Sequence, residues 1–173
     1  PAFGGGGTFG AIAGRASVIG NEIHFPALFQ PTTGKAVQAL FSMTADGATT
    51  LREAMVGDAA DGVTGATYAS FPASSQLNGE ALFRATLRGV PTAGNEGLWV
   101  KGSGVPLMIK GGVVIPDSPL VCARILRFWP AGSNRVIVHV QVSGTGVNAS
   151  NNQALVLIQE NGARLLLMRT GFP

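Results

Sequence analysis

The sequence predicts an all-β protein built from three copies of one four-stranded unit. Three observations carry this. Apolar residues alternate with polar ones over short runs, the period of a half-buried strand. Gly and Asn punctuate those runs at regular intervals, as turns do. The whole pattern recurs after about 55 to 59 residues, and such self-similarity marks a repeat architecture.

Each copy opens on a strand with two large apolar residues three apart: Phe9 and Ile12, Tyr68 and Phe71, Ile125 and Phe128. A turn follows, then an alternating strand, read as NEIHFPALF over 21–29, GEALFRATL over 79–87 and NRVIVHVQV over 134–142. The third strand is shorter: Ala39-Leu40-Phe41, Gly97-Leu98-Trp99-Val100 and Ala154-Leu155-Val156-Leu157. A fourth closes each copy on a glycine, at Gly57, Gly111-Gly112 and Gly171. The stretch from Thr49 to Met55 holds Thr50 and Glu53 at capping-box spacing, but its counterparts read as strands, so a strand is expected there too. Gly4 to Gly7 reads as a flexible lead-in. The expected units run over 8–62, 63–119 and 120–173, within one domain.

The second copy resembles bacterial tandem-repeat cell-surface proteins named for an NxxGxxAF motif. The residues that carry the resemblance are Tyr68 and Phe71, then Leu77-Asn78-Gly79-Glu80-Ala81-Leu82-Phe83-Arg84-Ala85, then Gly97-Leu98-Trp99, with Gly57-Asp58 as the dipeptide between copies. The first copy keeps Phe25, Ala27 and Gly57-Asp58, while the third has Val138 and Gly171-Phe172 instead. The resemblance implies a non-catalytic surface protein. Four antiparallel strands per copy is the plan of a β-propeller blade, and three blades do not close a ring. Association into a larger ring is therefore expected. The alternative is a self-closed β-trefoil or β-prism.

Composition narrows the function further. The chain is 46% hydrophobic and 12% charged, about half the usual charged share, which excludes intrinsic disorder. The net charge of +3 comes from scattered arginines with only Lys35, Lys101 and Lys110 beside them. The nearest approach to a basic stripe is Arg124, Arg127 and Arg135 around Phe128 and Trp129, too sparse to make nucleic acid an expected partner. No run of about 18 apolar residues predicts direct membrane insertion. Cys122, the single cysteine, sits among small apolar residues and reads as a buried, inert thiol. From a start on Pro1 rather than Met a processed or trimmed chain is expected, and with it an extracellular or cell-surface location.

No catalytic constellation stands out. His24 and His139 fall at non-equivalent repeat positions and read as ordinary strand residues. Glu22 and Glu80 occupy equivalent positions beside a turn, which points to architecture. Asp58 and Asp61, in Gly57-Asp58-Ala59-Ala60-Asp61-Gly62, are the metal candidates, with calcium as the ion that two carboxylates in a turn would suit. The plainer reading is a solvated turn between copies. Trp99 matches Phe41 and Val156 and should be core, whereas Trp129 has no aromatic counterpart. Trp129, with Phe128 beside it, is therefore the candidate ligand-stacking platform. These observations lead to a non-enzymatic, extracellular structural or adhesive module that associates with copies of itself. A lectin-like carbohydrate-binding module and a coat or filament subunit are the alternatives.

Overall fold

The computed structural model describes residues 6–132, 134–159 and 161–171. Gly4 and Gly5 of the expected lead-in, and Phe172 beside Gly171, lie outside them. The protein is all-β, with three antiparallel sheets, each drawn from its own stretch of chain. The first contains β1 (Gly7–Ile12), β2 (Ser17–Ile19), β3 (Glu22–Pro31), β4 (Val37–Thr44) and β5 (Thr50–Met55), in the order β1-β3-β4-β5 with β2 paired to β3. It thus has one strand more than expected. The second contains β6 (Thr67–Leu77), β7 (Glu80–Arg88), β8 (Glu96–Val100) and β9 (Met108–Ile109) in chain order. The third contains β10 (Val121–Pro130), β11 (Arg135–Ser143), β12 (Gln153–Gln159) and β13 (Arg164–Arg169), also in chain order. None of the three closes into a barrel, so a trefoil, whose barrel pairs strands from different copies, is not what forms.

Local chemistry accounts for these strands. The β6–β7 hairpin turns on Asn78 and Gly79 with φ of 52° and 83°, the positive values that a tight two-residue turn requires. In the second and third sheets bulges explain the opening pairs three residues apart. In a regular strand such residues face opposite ways, but an extra residue restores them to one face. The register of β6 against β7 slips between Tyr68 and Ser70 and again before Ala73, and Tyr68 and Phe71 are both buried in one cluster. The register of β10 slips likewise between Ile125 and Arg127, bringing Ile125 and Phe128 onto the same core. In the first sheet the slip also occurs, yet Ile12 is exposed while Phe9 packs inward.

The sheets stack face to face. Leu40 and Ala54 of the first meet Tyr68, Phe71, Phe83 and Trp99 of the second. The opposite face of the second, with Leu82, Leu98 and Met108, meets Cys122, Ile125, Val138 and Val156 of the third. Hence the run Ala81-Leu82-Phe83 is buried on both faces and reads as continuous apolar sequence, while β11 alternates buried and half-exposed positions. Each link between sheets is hydrogen-bonded to the opening strand of the next sheet. Gly57 donates its N–H to the Tyr68 carbonyl, and Gly111 donates to that of Cys122. Gly57, Gly111 and Gly171 all have positive φ, so the turn that ends each copy uses the same glycine conformation.

Burial pushes the Cys122 thiol from its ordinary 9.0 up to about 12, and the Tyr68 phenol from 10.0 up to about 12. Both groups stay neutral in the folded protein at pH values where the unfolded chain has released their protons. Their contribution to stability is complete below pH 9 and is lost as pH climbs toward 12. The urea midpoint should therefore fall across that alkaline window, and Cys122→Ala should flatten the fall. An equally steep decline in the variant would refute the assignment to Cys122.

Candidate functional site

A cleft of about 480 Å³ lies where β6 and β10, the opening strands of the second and third sheets, meet Arg15, Ala16 and Ser17 at the start of β2. Its size is in the range of small-molecule sites. The middle of β6, Pro72-Ala73-Ser74-Ser75, carries small side chains, two of them hydroxyls, and it lines this cleft. Ser17 of β2 faces it from the first sheet, its hydroxyl 3.3 Å from that of Ser75. The segment from Leu126 to Pro130 closes the third side.

Arg84 of β7 holds two of these walls together. Its Nη1 donates to the carbonyls of Ile125 at 2.6 Å and Leu126 at 3.2 Å. Its Nε lies 3.8 Å from Glu96, whose carboxylate accepts the Ile125 N–H at 3.2 Å. This partly buried clip fixes β10 against the second sheet, and its charges are largely spent on one another. Arg15 and Arg127 differ. Both line the cleft and are exposed, and among the described residues no carboxylate lies within ion-pair distance of either. Among the described lining residues none is acidic. The Ser74 hydroxyl is buried and has no hydrogen-bond partner among the described residues, an uncommon state for a buried polar group.

Both sequence-predicted aromatics line this cleft. Phe128 packs its ring partly against the core between the second and third sheets, and Trp129 is 43% exposed. The structure thus brings Trp129 and Phe128 together with Arg15, Arg84 and Ser74, which sequence reasoning did not select. Those three come from other thirds of the chain. Nothing in the sequence around them signals a shared site.

The metal candidates lie elsewhere. Asp58 accepts the Met55 N–H at 2.8 Å and so caps the turn out of β5. Asp61 acts through its backbone: its N–H donates to the Tyr68 hydroxyl at 3.3 Å, and its carbonyl accepts the Trp99 indole N–H at 2.9 Å. Among the described residues no three His, Cys, Asp or Glu side chains gather as a metal-holding group. His24 is fully buried, 3.4 Å from Glu22, which also accepts from Gln76. His139 is 2.9 Å from the Gln153 side-chain oxygen. Cys122 is free and buried. No helix among the described residues is long and apolar enough to cross a membrane.

Neither a curated protein nor a solved structure matches the chain. A family model does, over residues 1–173, and the protein accordingly belongs to that family, a family of unknown function (DUF7453).

Proposed function

We propose that the protein is a non-enzymatic extracellular structural or adhesive repeat module that assembles with copies of itself through its sheets. The observation that carries this reading is the open face of the third sheet. Cross-strand pairing makes Leu40, Leu98 and Leu155 equivalent, since the residues that follow them on the same strand, Phe41, Trp99 and Val156, pair with Phe25, Phe83 and Val138 at matching positions. Leu40 and Leu98 are fully buried beneath the following sheet. Leu155 lies on a face that no further sheet covers among the described residues.

That face continues across the strands. One row runs Trp129, Ile137, Leu157 and Leu165, and the next runs Arg127, His139, Leu155 and Met168, its polar residues at the β10 and β11 end and its apolar ones at the β12 and β13 end. Leu165 is 55% and Met168 63% exposed. The apolar patch formed by Leu155, Leu157, Leu165 and Met168 on β12 and β13 marks an interaction surface. In this reading the sheets are consecutive blades of an unclosed arc, and a second copy supplies the surface that the next sheet would offer. A contact that closes makes a ring, and one that does not makes a filament or coat.

Light scattering coupled to size exclusion tests this. The protein should run as two or more chains at micromolar concentration, and Leu165→Glu/Met168→Glu should run as a folded monomer. A compact wild-type monomer would sink the proposal. A second reading, a carbohydrate-binding module, is favoured by Trp129 standing half-exposed beside the cleft.

A further inference from the structure

We infer that the cleft between β2, β6 and β10 binds a short acidic oligosaccharide whose charge is a carboxylate, as in a uronate. This rests on the carbohydrate-binding reading and names its ligand class. Three features of the lining lead to it. The first is charge without a counter-charge: Arg15 and Arg127 have no carboxylate within ion-pair distance among the described residues. Two guanidinium groups at one cleft would favour an anion, and their planar forks match a carboxylate.

The second is the aromatic. Trp129 is 43% exposed at the same cleft, an amphipathic surface of the kind that stacks on the C–H face of a sugar ring. A small inorganic anion would leave that surface unused. The third is the hydroxyl-rich wall of Ser17, Ser74 and Ser75.

The combination argues against a long polyanion. Nucleic-acid grooves track the backbone with a run of cations and several stacking rings, whereas the exposed cations here meet one exposed indole in a bounded cleft. Arg84 is not part of the anion site in this assignment. Its guanidinium is committed to the Ile125 and Leu126 carbonyls.

Calorimetry and tryptophan fluorescence with trigalacturonate, neutral trigalactose and hexathymidylate test the inference. Solution mass is recorded for each variant. Trigalacturonate should bind more tightly than trigalactose, with an affinity that falls as salt is raised. Arg15→Ala/Arg127→Ala should weaken it about tenfold or more, the scale of losing charged hydrogen bonds, while the urea midpoint stays unchanged. Trp129→Ala should weaken both sugars. Equal affinity for the two sugars, or binding indifferent to the double arginine variant, would overturn the acidic assignment and leave the carbohydrate reading standing. Failure of both sugars at millimolar concentration would overturn both, and tighter binding of hexathymidylate would overturn the choice of sugar over nucleic acid.

Discussion

Replacing Trp99 by alanine should destabilise the protein by about 3 to 5 kcal/mol, the range for deleting a large buried aromatic. The indole is fully buried. It stacks on Phe83 with ring centres 6.1 Å apart and planes at 16°, and meets Tyr68 edge-on at 5.5 Å. Its N–H donates to the Asp61 carbonyl at 2.9 Å, tying the link between the first and second sheets to β8. Truncation removes the ring contacts, opens a cavity and strands that carbonyl. A domain holds about 5 to 15 kcal/mol in all, so much of the total is at stake. Trp99→Phe should cost much less, because Phe41 fills the equivalent place in the first sheet. Chemical denaturation of the three proteins checks the order, and a Trp99→Ala loss below about 1 kcal/mol would show that the site collapses around the gap.

Gly97→Ala should be nearly as damaging, by about 1 to 3 kcal/mol or more, through overpacking rather than loss. Residues two apart on a strand share a face, and the Trp99 ring leans back over Gly97. An added Cβ would sit 2.7 Å from Cζ3 of that ring, closer still to Cη2, and 3.1 Å from the Met108 carbonyl. Phe83 and Tyr68 hold the ring in place, so it cannot swing clear. The backbone at Gly97 is not in the left-handed region, so collision alone sets the cost. Each copy shows the same trade: Gly97 precedes Trp99, whereas Ala39 precedes the smaller Phe41 and Ala154 precedes Val156. The decisive measurement is a double-mutant cycle. In the Trp99→Ala background the Gly97→Ala penalty should largely vanish, and an undiminished penalty would place the clash with Met108 instead.

Much of the architecture is legible in the chain alone. The alternation in 134–142, the Asn-Gly turn at 78–79 and the matching of Trp99 to Phe41 and Val156 all depend on neighbours within a few residues or on the repeat itself. The opening pairs three apart are visible but not their cause, since a bulge depends on how two strands register. Strand β2 escapes detection because three residues paired to one side of β3 leave almost no periodic signal. Trp129 stands out in the sequence for having no aromatic counterpart, and it lines the cleft. Arg15 and Ser74 do not stand out in the same way. Nothing in their own sequence surroundings marks them, and they acquire a shared environment only when the first, second and third sheets meet.

Strands, turns and the threefold repetition are properties of the chain alone, because they follow from side-chain periodicity and backbone preferences acting over a few residues. Which faces are covered is settled only by the packing of distant segments. Leu98 and Leu155 stand at equivalent positions in similar strands, yet only Leu98 is fully buried, because a sheet follows it in space. The cleft arises in the same way. Its walls are far apart in the chain, and burial of the apolar sheet faces against one another is what brings its arginines, serines and indole to one place.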